Sequence, residues 1–335
     1  MQTSYEPRYE SVVIICPETI TGGPEALHQL GHSINRLGGH AVMAYYGTHN
    51  LQVINSNLVG MSSPGHELSS HYKCYSPIVE ESIALSDRTL VVFPEIFPIE
   101  ALHFRWCQRA IWWLSVDHAL DKTPALGYKS TADNVFHDNT LLHFCQSWYA
   151  VNYLRQQGVR QIIPIFDYVE RSYRLSKDSA IAKVQSAQTR KVALFPRKGA
   201  ELAKIFVHAC PQFTYSLIES MSREDVGMTL ADSSVYIDFG HLPGKDRVPR
   251  EAALAGNIVF LHEKGSATQF GDFPVESYYL FTSADIHSGS LCSRVMEALS
   301  NYSDHLSRQA LFRQRVVLEQ EEFNLQVAST FFILS

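Results

Sequence analysis

No stretch of this sequence is apolar for long enough to cross a bilayer, which takes about 18 residues. CxxC spacing is absent, and Cys16, Cys74, Cys107, Cys145, Cys210 and Cys292 lie far apart. That argues against a disulfide framework or a zinc knuckle and predicts reduced thiols, several of them buried, in a cytoplasmic protein. The fifteen histidines are scattered, so no metal site is expected. Excess positive charge is missing as well. Lysine and arginine number 28 against 34 aspartates and glutamates, a formal net charge of -6, so no global basic field draws the chain to nucleic acid. GxGxxG is absent, which disfavours a nicotinamide-dependent oxidoreductase or a sugar-nucleotide epimerase. No internal repeat and no low-complexity segment appears. The segment Met1 to Tyr9 is polar and lacks the apolar core of a signal peptide, so none is expected.

What is present is an ordinary globular composition, 45% hydrophobic and 19% charged over 335 residues, which suggests two domains. The first half alternates strand and helix signals. Ser11 to Cys16 is a short β-branched run of the kind buried in a parallel sheet. A Gly-rich turn follows, then a helix over Pro24 to Leu37 with Leu27, Leu30, Ile34 and Leu37 at helical spacing. Gly38 and Gly39 stop it, and Ala41 to Tyr46 is the next strand. Asn50 to Tyr75 is polar and Ser-rich and reads as irregular. Strand signals return at 89–93, 110–116 and 141–145, with helices at 99–108 and 147–157. A charged, weakly periodic stretch from Glu170 to Thr189 places a boundary near Ser172, giving domains 1–172 and 173–335. The second half repeats the alternation. Strands are expected at 191–195, 213–218, 235–238 and 258–261, helices at 199–209, 222–232 and 249–255, and a largely helical end from 291 to 327. Two doubly wound α/β sheets facing a cleft follow from that order.

Three segments carry chemistry. Thr21-Gly22-Gly23-Pro24-Glu25 joins a strand to a helix, where backbone N–H groups and the helix dipole suit an anion; a plain tight turn is the alternative. Phe195-Pro196-Arg197-Lys198-Gly199 sets two cations and a glycine at a helix start, which suits a diphosphate. The strongest is 235–259. Its loop holds His241, Lys245, Asp246, Arg247 and Arg250, framed by Gly240, Pro243, Gly244 and Pro249, and loops after strands of open α/β sheets are where ligands bind. Three cations so close repel one another, so at least two of Lys245, Arg247 and Arg250 are expected to face an anion across the cleft. Asp117-His118 and Glu95 stand after apolar strands, where an acid or base would sit; an aspartate capping the next turn is the alternative reading of Asp117. Trp106, Trp112 and Trp113 read as core residues.

The run Gly22-Gly23-Pro24-Glu25-Ala26-Leu27-His28-Gln29-Leu30, followed by Gly39-His40-Ala41-Val42, resembles the opening of GT-B glycosyltransferases. Glu251-Ala252-Ala253-Leu254-Ala255-Gly256-Asn257-Ile258-Val259 is in the register of the retaining GT-B signature Glu-Ala-x-Ala-x-Gly-x-Pro-Val. The resemblance implies two Rossmann-like lobes facing an interlobe cleft. It implies a nucleotide-sugar donor held by Arg197, Lys198, Gly199, Gly244, Lys245, Arg247, Arg250 and Glu251, with Glu251 on the ribose. Acceptor-side residues would be Gly22, Gly23, Glu25 and Glu95, and Asp238, His241, Asp117 and His118 are the candidate catalytic groups. The signature's other glutamate, eight positions before Glu251, is Pro243 here, and that leaves inversion or retention open. The stretch from Asp238 to Ala253 is also similar to bacterial surface-polysaccharide transferases, some of which use a CMP-activated keto-sugar acid such as Kdo. The implied donor is CMP-, UDP-, dTDP- or GDP-linked, the acceptor a glycan or glycolipid, and no cofactor beyond the donor is expected. The place implied is the cytoplasm, with association at the inner membrane face or with a partner enzyme left open. The rival from another class is a non-catalytic module of the same fold that binds a glycan or a partner.

Overall fold

The computed structural model describes residues 5–46, 51–61, 63–121, 135–170, 183, 187 and 190–334. Two compact units account for the chain, Met1–Asp167 with Gln320–Ser335, and Tyr168–Glu319. The first boundary falls close to the expected one. The last sixteen residues, however, count with the first unit rather than the second, for reasons of packing given below.

In the first unit, strands β1 (Tyr5–Pro7), β2 (Ser11–Pro17), β3 (Ala41–Tyr46), β4 (Gln52–Ile54), β5 (Asn57–Val59), β6 (Ser82–Ala84), β7 (Thr89–Pro94), β8 (Gln108–Trp113), β9 (Leu141–Cys145) and β10 (Ile162–Pro164) follow in sequence. Six of them form a parallel sheet in the order β10-β9-β8-β7-β2-β3. Val12 to Cys16 are buried throughout, because both faces of such a sheet are covered and every side chain must be apolar. Helix Gly22–Arg36 covers one face with Leu27, Leu30 and Ile34, and ends at Gly38, whose φ of +90° suits glycine. Trp112 and Trp113 are buried as expected; Trp112 donates to the Ile165 carbonyl and Trp113 to His143 Nδ1. Trp106 is a correction: it is 52% exposed, edge-on to Phe104.

Residues 50–75 are more ordered than their composition suggests. β4, β5 and β6 form an antiparallel sheet. Its hairpin turns on Asn55 and Ser56, both at positive φ (50° and 60°), the signature of a type I′ turn hidden in a polar stretch. A short helix, His66–His71, follows. The end of helix Ala310–Phe331 packs in this unit: Phe323 stacks on Trp112, Phe331 meets Phe144 edge-on, and Asn324 accepts from Ser33. A final strand, β16 (Phe332–Leu334), pairs antiparallel with β1.

The second unit holds β11 (Lys191–Phe195), β12 (Thr214–Leu217), β13 (Val235–Asp238), β14 (Ile258–His262) and β15 (Leu280–Phe281), all parallel in the order β12-β11-β13-β14-β15. Val192, Leu194, Ile237, Val259 and Leu261 are fully buried within one apolar core. Helices Ala200–Ala209, Arg223–Asp232, Arg247–Leu254, Ser283–His287, Ser290–Ser300 and Tyr302–Arg308 belong to this unit. Among the described residues no helix is long and apolar enough to cross a membrane.

Candidate functional site

Strand order selects the place to look in each unit. In the second, the chain leaves β11 for β12 on one side and returns to β13 on the other, so the order reverses between β11 and β13. Ligands of open α/β sheets bind outside the strand C-termini at such a switch point. Register sets Phe195 beside Asp238, so the turn 196–199 and the loop 239–246 emerge side by side. They touch backbone to backbone. A Cβ on Gly199 would strike the Phe239 carbonyl, and one on Gly240 would come within 2.6 Å of Lys198 Cβ, so only glycine fits at either position. Gly199 also caps helix Ala200–Ala209, whose first N–H groups open at this edge. Arg197 and Lys198 are exposed here, and Lys198 Nζ lies 2.6 Å from Asp246 Oδ2.

The loop is pinned from below. Ser266 N donates to the Leu242 carbonyl at 2.8 Å, and Ser266 Oγ donates to the Gly244 carbonyl at 2.5 Å. Gly265, at φ +62°, passes so close that a Cβ would meet the Leu242 carbonyl. Gly244 is buried by these contacts, while His241 is exposed at the rim.

Asp238 departs from its expected role. It is buried, with Oδ1 accepting from Gly240 N at 2.8 Å and Oδ2 from the Tyr236 hydroxyl at 2.8 Å. Both oxygens shape the loop, so Asp238 acts as a positioning residue rather than as a base open to substrate. Burial pushes its pKa up to about 6, helped by Asp246 and opposed by the Gly240 and Tyr236 hydrogen bonds and by Lys198. A raised folded-state pKa means the folded protein binds this proton more tightly than the unfolded chain does. Its stabilisation is therefore complete below about pH 4 and lost as pH rises through about 6. Asp238→Asn, neutral at every pH, should gain stability relative to the parent across that window, by on the order of 3 kcal/mol, and then level off. Melting temperatures of both proteins against pH check this; a difference that does not change with pH refutes it.

The basic loop is the main correction. Lys245 and Arg250 are buried, Arg250 completely. Lys245 Nζ lies 2.8 Å from Glu319 Oε1, and Arg250 Nη1 donates to Glu319 Oε2 at 2.8 Å. Arg250 also donates from Nε to the Asp246 carbonyl and from Nη2 to the Lys245 carbonyl. The cations expected to wait for an anion thus have their counter-charge in Glu319, supplied by helix Ala310–Phe331. Burial alone would raise the Glu319 pKa, but Arg250 and Lys245 outweigh it and hold the carboxyl below its ordinary value. Arg247 opens helix Arg247–Leu254, and its Nε is 3.7 Å from Glu251 Oε1; Glu251 is buried on the same helix. Nothing in positions 245, 246 or 250 announces Glu319, which sits in a charged helical stretch unremarkable in sequence.

In the first unit the order reverses between β2 and β7. Gly22 and Gly23 begin helix Gly22–Arg36 after β2, and Glu95 follows β7, so the topology brings these acceptor-side candidates to one edge. Both acids are buried there. Glu25 accepts from the Tyr75 hydroxyl at 2.7 Å, and Glu95 accepts from Leu114 N at 3.3 Å. Asp117 and His118 lie in the first turn of helix Val116–Asp121, past the end of β8. The capping role falls to Ser115, whose Oγ accepts from His118 N at 3.3 Å. Asp117 Oδ1 accepts from the Tyr149 hydroxyl at 3.3 Å, and the His118 side chain is exposed.

One histidine pair is closer than the scattered pattern implied: His28 and His32 stand four apart on one helix. The His28 nitrogens contact the Pro24 carbonyl at 2.7 Å and the Tyr45 hydroxyl at 2.8 Å, its ring stacks on Tyr72, and burial pushes its pKa down to about 4. His32 Nδ1 contacts the Tyr75 carbonyl. Among the described residues no group of three or more His, Cys, Asp or Glu is placed to hold a metal.

No protein-family model matches this sequence, and no curated protein sequence matches it. Solved structures do. Sucrose-phosphate synthase from Thermosynechococcus elongatus is similar at a TM-score of 0.65 and 13% identity, over 96% of this chain and 98% of that one. HepE from Anabaena, solved in complex with UDP, is similar at 0.61 and 13%, over 96% and 100%. WaaG, a glycosyltransferase involved in lipopolysaccharide biosynthesis, is similar at 0.57 and 10%, over 96% and 99%. The fold is GT-B, with two Rossmann-like units built on parallel sheets.

Proposed function

We propose that this chain is a glycosyltransferase that moves a sugar from a nucleotide-activated donor to a glycan or glycolipid. The observation that carries the reading is the pair of glycine-packed βα turns at the β11/β13 switch point, with exposed Arg197 and Lys198 on one and His241 on the other. The nucleotide diphosphate or monophosphate would lie over Gly199 and the start of helix Ala200–Ala209. Lys198 would exchange Asp246 for the phosphate at small cost, since a partly exposed ion pair is worth about 0–1 kcal/mol. Arg197 and Lys198 then offset the charge that develops on the leaving phosphate. Glu251 is the proposed ribose partner. His118, Asp117 and His241 are the proposed groups to take the acceptor's proton. A role in bacterial surface-polysaccharide synthesis, and a CMP-linked keto-sugar acid as donor, are the finer readings; both rest on the likeness of the stretch Asp238 to Ala253.

A thermal-shift panel of CMP, UDP, GDP and dTDP tests the site: one base should stabilise selectively, and no stabilisation by any of them would refute the assignment. Glu251→Ala should weaken binding of that nucleotide by about 1.5–3 kcal/mol, the worth of hydrogen bonds to a charged group. Titration calorimetry on a variant with an unaltered circular dichroism spectrum reads this directly; unchanged affinity removes Glu251 from the site.

The second reading, a binding module without transfer activity, is favoured by Pro243 in place of the signature glutamate and by the internal neutralisation of Lys245 and Arg250. It predicts nucleotide binding with no turnover of any nucleotide sugar.

A further inference from the structure

Two of the six thiols meet in the second unit, in a place the proposed transfer reaction does not use. Cys210 closes helix Ala200–Ala209: its N–H donates to the Phe206 carbonyl at 3.0 Å, and its own carbonyl accepts from the Tyr215 hydroxyl at 2.7 Å. Cys292 lies in the first turn of helix Ser290–Ser300. The two side chains are within thiol–thiol hydrogen-bonding reach, and the Gln212 amide donates to Cys292 Sγ at 3.0 Å. Cys210 is buried, whereas Cys292 is half-buried, so an oxidant in solution reaches one member of the pair and finds the other behind it.

We infer that Cys210 and Cys292 form a reversible disulfide when the protein meets a peroxide. The backbones at both cysteines are held by helix ends and hydrogen bonds, so the sulfurs approach from fixed positions, as a disulfide requires. The Cys292 thiolate attacks one oxygen of hydrogen peroxide, the O–O bond breaks, and Cys292 sulfenic acid and one water result. The Cys210 sulfur then attacks Cys292 Sγ, the S–O bond breaks, and the hydroxide leaves as a second water with the Cys210 proton. Two thiols are oxidised by two electrons and one peroxide is reduced to two waters. The order follows from access and from acidity: burial and the neighbouring thiol hold the Cys210 pKa well above the usual thiol range, so it serves as the resolving partner. The bond would tie the C-terminal end of helix Ala200–Ala209, whose other end carries Gly199 and the Arg197-Lys198 turn, to helix Ser290–Ser300.

The test is hydrogen peroxide titrated into the full chain near neutral pH, followed by alkylation with N-ethylmaleimide and peptide mapping. The expected result is a crosslinked peptide joining Cys210 and Cys292, with the loss of two hydrogens, reversed by dithiothreitol and accompanied by a higher melting temperature. Cys292→Ser, a change at a half-buried position, should abolish the crosslink and leave Cys210 as a thiol; Cys210→Ala should leave Cys292 to run on to the sulfinic acid. Sulfinic acid on Cys292 in the parent protein with Cys210 still a thiol would overturn the proposal. So would a gel showing covalent dimers through exposed Cys74 while both thiols of the pair stay reduced.

Discussion

Glu319→Ala should be among the most destabilising single substitutions in the second unit, costing about 3–5 kcal/mol and lowering Tm by on the order of 10 °C. The reason is charge burial rather than loss of contact area. Arg250 is fully buried and Lys245 nearly so, and both direct charged nitrogens at this one carboxylate at 2.8 Å. Removing it leaves two cations in an apolar setting with no anion between them. Arg250 retains carbonyl acceptors at Asp246 and Lys245, but these do not cancel its charge. Glu319→Gln keeps the shape and loses the charge, and it should reproduce most of the effect. The compensated double variant Glu319→Leu with Arg250→Met should lose less than the sum of the two single changes, because the members of one ion network are coupled. Acid should mimic the mutation: the Glu319 carboxyl titrates below its ordinary range, so its stabilisation is present above the unfolded-state value of about 4.3 and is lost as pH falls through the lower folded-state value. Urea unfolding of the variants checks the first claim. A Glu319→Ala protein within 1 kcal/mol or so of the parent would show that the network contributes little.

The opposite pattern is expected at the exposed pair. Arg197→Ala and Lys198→Ala should each lower kcat/KM for transfer by about 100-fold, with the melting temperature almost unchanged. Both side chains are exposed, and the described contact they give up is the Lys198–Asp246 ion pair at the surface. Their proposed value lies in the transition state, where charge moves onto the leaving phosphate and fixed cations need no reorganisation. Arg197→Lys separates two modes of action: a bidentate guanidinium contact is lost, whereas a point charge is kept. Steady-state kinetics beside thermal melts decide the matter. An activity loss below tenfold, or one that tracks the fall in Tm, would remove the turn from the donor site and leave the transferase reading on fold alone, which is weak support for function.

These two expectations separate cations that look alike in sequence. Lys198, Lys245 and Arg250 are all basic residues on βα loops of one unit, and the short-range pattern gives no ground for treating them differently. Burial does. The framing of the loop by Gly240, Pro243, Gly244 and Pro249 was readable as a fixed shape, and the hydrogen bonds to Ser266 and the close pass of Gly265 account for it. The register of β11 against β13, and hence the meeting of Gly199 with Phe239, followed from alternating strands and helices only as far as their order; the contact itself is tertiary.

Local periodicity determined the repeating strands and helices of both units. Runs such as Ser11–Pro17 and Ile258–His262 are apolar on both faces, and that pattern has one stable home, a covered parallel sheet. Glycines at 38 and 199 marked a helix stop and a helix start for reasons internal to a few residues. The tertiary structure decided what depends on sums over space. It put Glu319 against Lys245 and Arg250, enclosed Asp238 between Tyr236 and Gly240, and counted residues 320–335 with the first unit through Phe323 on Trp112 and β16 on β1. Charge balance and desolvation are set by every group within a few ångströms, whatever its place in the chain, and a window of neighbouring residues does not contain them.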